Sequence, residues 1–441
     1  MKQLLPHLAA SLVAIAGCGD VAAGGGDPAG GASGIGGAMA ATASGSGAAG
    51  SGDTASTSGV GGSVSAGGSG GGGASGTGGT GGGTPSDSVF RVDGVATWRA
   101  NAKAAYTIIH DDLCDPSTFG SFDHADPALV ARGLHAGFGA NPNTCNTANK
   151  WPAVKTLVSH GHDVFNHSWD HACIGDATAC GGNRYSANLA LEIDQAGQLI
   201  QTQTGIAPQF FIFPYDVCGT TAIAHLQQGG YLGARCGAHG VNPSGFTNGF
   251  TVQFDVWGPN FSIYVAAGPC QGKTKPDSAS RPSRDLPLDC RMYVLNHFVD
   301  EAIAKGGWAN REMHGFEDNA GAWEPISVSD YTAHLDYVKS KIDAGDLWME
   351  GPTPVVKYRF AREKCTLPTL SAGNTLKFAT PSAECSKYAT TLSFLVSTTD
   401  GSDPAMLSIR QGMTTSSAKR LSAGHYVVDA DPSQGDAVLL N

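Results

Sequence analysis

The sequence predicts an α/β fold built on a parallel sheet, with a small all-β appendage at its C-terminal end. Three observations predict it. Strand-like apolar runs alternate with stretches of helical spacing between residues 88 and 364, the pattern of β/α units whose strands lie parallel. Chemistry-bearing residues (Asp111 and Asp112, His167, Tyr215, His314) stand at the C-terminal ends of several of those runs, and in a barrel of β/α units that is the face where sites are built. From Cys365 onward helical periodicity stops, and short apolar runs are divided by Gly, Ser, Asp and Pro, which reads as strands and turns. A doubly wound open sheet is the alternative arrangement of the same elements.

The N-terminal end belongs to neither part. In residues 1–18, Lys2 precedes an apolar stretch over 4–16, too short to span a bilayer but of signal-peptide length. It ends in Ile15, Ala16, Gly17 and Cys18, similar to a bacterial lipobox, in which the signal is cut before a cysteine that becomes lipidated. An ordinary signal peptide containing a chance cysteine is the alternative. Either way the expectation is an exported chain, anchored by lipid at the cell envelope or surface in the first case and secreted in the second. Residues 19–87 are dominated by Gly, Ser, Ala and Thr, and the first aromatic residue is Phe90. Such a segment buries too little apolar surface to offset its ordering entropy, so a flexible tether is expected. Its run Gly70, Gly71, Gly72, Gly73 has no strand before it and no helix after it, so it is not a phosphate loop.

Within 88–364, strands are expected at 104–110, 163–166, 209–213, 231–235, 250–257, 308–314 and 347–350, from apolar runs bounded by turn residues. Helices are expected at 127–138, 152–160, 187–204, 222–228, 290–305, 329–344 and 354–362; Ser327 or Ser329 would cap the sixth. The appendage, 365–441, holds short strand-like runs at 376–378, 391–396, 406–410 and 425–428. The net charge of −11 is spread thinly and no basic run occurs, which argues against a nucleic-acid partner. Setting Cys18 aside leaves ten cysteines: 114, 145, 173, 180, 218, 236, 270, 290, 365 and 385. An even number in an exported chain reads as a disulfide framework; pairing sequential neighbours is the simplest arrangement and closes five short loops.

Two stretches carry the chemistry. Ile108, Ile109, His110, Asp111, Asp112 is an apolar run delivering two adjacent carboxylates. Asn166, His167, Ser168, Trp169, Asp170, His171 places two imidazoles four residues apart, so one helical turn or a tight loop can aim both at one ion. One carboxylate and two histidines make a three-ligand set with room for a water, as a hydrolytic metal site requires; the other carboxylate is then free to act as a base. Alone, an Asp pair is usually a turn and two histidines at that spacing are usually surface or core. Together with Phe211, Ile212, Phe213, Pro214, Tyr215 and with His314 after a late strand, they gain weight.

The order Asp-Asp, His-Ser-x-x-His, Phe-x-x-Pro-Tyr and late His resembles the polysaccharide deacetylases, the NodB-homology domain of carbohydrate esterase family four, over about residues 100–360. The run Gly161, His162, Asp163, Val164, Phe165, Asn166 before His167 is similar to that family's second motif. The resemblance implies a deformed (β/α)7-type barrel and a divalent metal, usually zinc, with cobalt, nickel or manganese as alternatives. It implies Asp112, His167 and His171 as ligands and Asp111 as the base that deprotonates the hydrolytic water. It further implies the Tyr215 N–H as an oxyanion donor and His314 as the group that protonates the leaving amine or alcohol. The family's Arg two residues before the third-motif proline is absent; Ile212 stands there. Arg235, ending the next predicted strand, is the candidate substitute, and Asp255 the candidate to orient His314 or Arg235. His110 and Leu113 also depart from the family pattern, marking a divergent member.

The expected substrate is an acetylated carbohydrate polymer or oligosaccharide. N-acetylglucosamine chains such as chitin or peptidoglycan, or an exopolysaccharide, come first; O-acetyl xylan comes second. Trp169, Tyr215, Trp257, Trp308 and Trp323 are candidate sugar contacts, with Trp323 the best placed and Trp308 and Trp348 better read as core. The rival expectations are a deacetylase-like surface glycan-binding protein that has lost activity, and an amide hydrolase acting on a small cyclic substrate.

Overall fold

The computed structural model describes residues 88–258, 262–271 and 286–441. The export signal at 1–18 and the tether at 19–87 lie outside the described residues. In chain order the described part starts with β1 (Phe90–Val95) and β2 (Ala104–Leu113). Helix α1 (Asp126–Val130) leads to β3 (Gly137–Ala140). Then α2 (Pro142–Thr147) and α3 (Trp151–Ser159) precede β4 (Asp163–Asn166). Helix α4 (Ala196–Thr204) precedes β5 (Phe210–Ile212), and α5 (Thr220–Gln228) precedes β6 (Gly233–His239) and β7 (Val252–Val256). Helix α6 (Leu288–Lys305) feeds β8 (Trp308–Met313), α7 (Val328–Asp343) feeds β9 (Leu347–Met349), and α8 (Pro352–Lys364) closes the series. The Ser327 hydroxyl accepts from the Asp330 N–H and caps α7, which decides between the two serines.

Strands β2 to β8 pair in parallel, and β3 closes on β2, so seven strands make a closed barrel. Strand β9 pairs with residues 104–106 of β2, below β3 on the same edge. The open-sheet alternative is thereby excluded. Side chains alternate across the wall. On β2, Ala104, Tyr106 and Ile108 join the cluster beneath the outer helices, while Ala105 and Ile109 join the inner one. On β8, Trp308 fills the barrel and donates its Nε1–H to Thr107 Oγ1 at 2.9 Å, while Ala309 and Met313 face the helices. Each fully buried aromatic of this kind contributes about 2–3 kcal/mol of transfer free energy.

One expectation fails here. The helix predicted over 127–138 stops at Val130, and residues 137–140 form β3. Its Gly-Phe-Gly-Ala sequence has little strand propensity, but the packing selects it. A Cβ on Gly137 would meet Phe165 Cε1 at 2.7 Å and Pro352 Cδ at 2.8 Å, so only glycine lets β4 and α8 approach this closely.

The C-terminal region adds β10 (Thr369–Ser371), β11 (Thr375–Lys377), helix α9 (Ala383–Lys387) and β12 (Leu392–Thr398). It continues with β13 (Ser408–Gln411), β14 (Thr414–Ser417), β15 (Lys419–Ser422), β16 (His425–Ala430) and β17 (Ala437–Leu440). These strands form two sheets, β1-β12-β16-β15 and β10-β11-β17-β13-β14. Strand β1, from the other end of the described chain, is an edge of the first. One apolar cluster runs from Phe210 and Trp308 in the barrel through Val355 and Tyr358 to Phe394 and Tyr426, so appendage and barrel share a core. All ten cysteines pair with their sequential neighbours: 114–145, 173–180, 218–236, 270–290 and 365–385. Among the described residues no helix is long and apolar enough to cross a membrane.

Candidate active site

The C-terminal mouth of the barrel holds a cavity of about 510 Å³ lined by Asp111, Asp112, His167, His171, Tyr215, Asp216, Arg235, His239, Val256, Glu312, His314 and Trp323. All seven residues singled out from the sequence for catalysis or metal binding are among them, so strands β2, β4, β5, β6 and β8 or the loops after them converge here.

Two consecutive carboxylates would normally face opposite sides of a strand. Here the register of β2 against β3 slips between His110 and Leu113, and Asp112 has φ of 57°. This irregularity turns Asp112 back toward the mouth while Asp111 stays on the inner face. His110, one residue earlier, points outward and is buried between Phe138 and Phe316, with Nε2 3.0 Å from the Tyr331 hydroxyl. The backbone is bent at several other site positions: Ser168, His171, Tyr215 and Asp216 have φ between 55° and 66°. Left-handed backbone at non-glycine residues costs of order 1 kcal/mol or more each and clusters where side chains must be aimed.

Asp112, His167 and His171 meet. Asp112 Oδ1 lies 3.3 Å from His167 Nε2 and 3.2 Å from His171 Nε2. His167 Nδ1 lies 3.0 Å from the Ile212 carbonyl, which can only accept, so Nδ1 carries the proton and Nε2 presents a lone pair. That buried Nε2 makes no hydrogen bond. Burial holds the His171 imidazole down to about 4 despite the pull of Asp112, so it too offers a neutral nitrogen. Burial acts upward on Asp112, but the two histidines beside it, His167 first and then His171, outweigh it and hold the carboxyl well below its usual range. Burial also opposes protonation of His167, yet Asp111 and Asp112 raise its pKa overall: the carboxylates favour positive charge at this point. One carboxylate and two imidazole nitrogens, with their acceptor atoms within 4.8 Å of one another, suit a divalent cation of the zinc type.

Arg235 Nη2 stands beside them, 2.7 Å from Asp111 Oδ2, 2.8 Å from Asp216 Oδ1 and 2.9 Å from Glu312 Oε2. Its guanidinium also lies over the Phe254 ring. Burial works against its charge, but the three carboxylates raise its pKa. His314 lies across the mouth, with Nε2 3.8 Å from Asp112 Oδ2 and its ring packed edge-on to Trp323 at 4.6 Å. Burial keeps its imidazole below the usual histidine range. Tyr215 is 42% exposed and its ring packs on His171.

Asp255 does not take the place expected for it. It is register partner to Arg311 on the next strand, both on the outer face, and it pairs with Arg311 and accepts from the Ser262 hydroxyl. Orienting His314 or Arg235 from there would require passing through the barrel wall. The sequence reading missed three titratable lining residues. Glu312 is buried, and burial raises its carboxyl well above the usual range against the opposing charge of Arg235; its signal was its place two residues before His314, hence on the same strand face. Asp216 directly follows Tyr215. His239 sits at the rim, Nδ1 3.3 Å from Asp255 Oδ1, and nothing in its flanking sequence marks it. Of the other aromatics considered, Trp257 and Trp308 are buried, and Trp323 lines the cavity.

Residues 111–234 match the family model described as polysaccharide deacetylase. No curated protein matches the chain. Among solved structures, a family 4 acetyl xylan esterase from Clostridium thermocellum is similar at 13% identity, covering 57% of this chain and 89% of that one, with a TM-score of 0.33. A putative polysaccharide deacetylase from Mycobacterium smegmatis is similar at 12% identity over 62% and 95%, TM-score 0.42. A pseudoenzyme of the same carbohydrate esterase family from Bacillus anthracis is similar at 12% identity over 58% and 66%, TM-score 0.37. Likenesses this remote carry no functional weight; the family model and the motifs do.

Proposed function

We propose that this chain, which carries a polysaccharide deacetylase domain, is a metal-dependent hydrolase that removes acetyl groups from an extracellular carbohydrate. The observation that carries the reading is the convergence of Asp112, His167 and His171 with Asp111, Arg235 and His314 around one cavity. Asp112, His167 and His171 would hold the cation. When bound, a divalent metal acts as a Lewis acid and lowers the pKa of water to near neutrality. Asp111, held by Arg235 at 2.7 Å, takes the proton of the attacking water as general base. The Arg235 contact orients the carboxylate, the role the missing third-motif arginine would have had. The Tyr215 N–H stabilises the developing oxyanion. His314 gives a proton to the departing amine or alcohol, and Trp323 stacks on the sugar ring.

An acetylated N-acetylglucosamine chain is the first substrate to test and acetyl xylan the second. The five disulfides support an oxidising compartment outside the cytoplasm, in line with the export signal read at 1–18 and its lipid-anchoring cysteine. Presence of the complete acid, base and ligand set weighs against the glycan-binding alternative, since a lectin has no use for it.

The test is acetate release by the full chain from chitooligosaccharide, peptidoglycan and acetylxylan, with zinc or with a chelator. Release that requires metal and falls by about 10²–10⁴-fold in Asp111→Asn, the usual share of a general base, is the expected result. No release from any substrate by metal-loaded protein would sink the deacetylase reading.

A further inference from the structure

We propose that Glu312 is the positioning residue for His314, holding the imidazole by its Nδ1 edge so that Nε2 faces the bond being broken. The inference rests on the deacetylase reading and names the partner that reading leaves unfilled. Period-two alternation places both side chains on the inner face of the wall, with Met313 outside between them. His314 Nδ1 is buried and makes no hydrogen bond; the acidic atom facing it is Glu312 Oε1, at 3.8 Å. Glu312 divides its two oxygens: Oε2 lies against Arg235 Nη2 at 2.9 Å, and Oε1 faces the imidazole. At 3.8 Å the two atoms face each other without yet forming a hydrogen bond, and contacts of this kind commonly tighten when substrate engages the opposite edge of the ring. Trp323 packs against the same ring, so the imidazole has one edge toward Glu312 and the other toward Asp112 and the cavity. Asp255 cannot do this from the outer face.

The chemistry follows. The ring first takes a second proton, from solvent at the cavity mouth, and becomes the imidazolium; the C–N or C–O bond of the tetrahedral intermediate then breaks as its Nε2 proton moves to the departing nitrogen or oxygen, and the neutral ring keeps its Nδ1–H on Glu312. The arrangement also joins base to acid through one cation, in the order Asp111, Arg235, Glu312, His314. In Glu312→Gln, Arg235 would draw the amide oxygen, turning the NH₂ group toward Nδ1. A donor there deprives the ring of its Nδ1–H.

The experiment compares the full-length, zinc-loaded wild type with Glu312→Gln on an N-acetyl chitooligosaccharide and on 4-nitrophenyl acetate. Nitrophenolate leaves without needing a proton. A loss of about 10²-fold or more in kcat on the sugar amide, with less than about a tenth of that loss on the ester, is expected. Glu312→Asp, which keeps the carboxylate, should recover part of it. Long-range ¹H–¹⁵N spectra should show His314 protonated at Nδ1 in the wild type and not in Glu312→Gln. Equal losses on both substrates, or a wild-type His314 without a proton on Nδ1, would overturn the assignment. Should the wild type cleave neither substrate, the deacetylase reading fails, and the tautomer spectra still decide the role of Glu312.

Discussion

Two arginines are buried in the wall of this barrel, Arg235 at 1% exposure and Arg311 at 0%, and they face opposite ways. Both rest on a phenylalanine ring, Phe254 for one and Phe298 for the other. Arg311 points outward, pairs with Asp255, and donates to the carbonyls of Val256 at 3.0 Å and Val294 at 2.8 Å. Its charge is matched by one carboxylate, and helix α6 seals it. Arg235 points inward to three carboxylates, beside a fourth on Asp112. A matched, sealed pair holds structure together. A group of carboxyls that outnumbers its one arginine and opens to a cavity is an arrangement that suits further positive charge, from a metal ion or a proton in transit.

Substitution of the two arginines puts that contrast to its strongest test. Arg235→Met should lower kcat by about 10²-fold or more, because Asp111 loses the group that orients it, whereas Arg311→Met should leave the turnover of folded protein within about twofold. Instead Arg311→Met should lower the unfolding free energy by about 3–5 kcal/mol, since it leaves Asp255 buried and uncompensated; urea titration reads this directly. Loss of turnover in a folded Arg311→Met protein would erase the distinction. A smaller effect is expected at the rim of the charged face. Trp323→Ala should raise KM for an oligosaccharide about two- to tenfold, the worth of one aromatic contact, with a fall in kcat smaller than that of Arg235→Met.

The smallest effect lies at the other end of β4, where Asp163 accepts from the Thr353 N–H at 2.7 Å and forms no ion pair among the described residues. Burial raises its carboxyl to about 6. The folded protein therefore holds this proton more tightly than the unfolded chain. The associated stability is complete below the unfolded value near 4 and is lost as pH rises through about 6. Asp163→Asn should stabilise the protein by on the order of 1 kcal/mol at pH 8 and by little at pH 4.5, as thermal unfolding at the two values would show. An equal difference at both would mean that burial leaves this carboxylate's ionisation untouched.

What could be read from the sequence divides along the same wall. Strand β2 is an apolar run that ends abruptly in two carboxylates, and β4 and β8 lead directly into His167 and His314, so their existence and their working ends were legible. Strand β3 was not, because Gly137 and Gly139 are placed there by neighbours: a Cβ on Gly139 would come within 3.3 Å of both His167 and Phe165. Asp112, His167 and His171 were legible from spacing and from resemblance. Which face a mid-strand charge takes was not. Asp255 and Glu312 each sit near the end of a strand, and only the register of β7 and β8 sends one to the helices and the other to the cavity.

The cross-links have a consequence for how this protein is made. Cys114 follows Asp112 by two residues, Cys173 follows His171 by two, and Cys236 is next to Arg235 and tied to Cys218 beyond Tyr215. Three of the five bonds thus fasten segments that carry the chemistry, while the other two lie at α6 and on the appendage side. Protein produced in a reducing host should form the barrel and yet present its mouth slack. A yield of soluble material is then no measure of competent material, and counting free thiols in a preparation is the quality control to apply before any assay is believed.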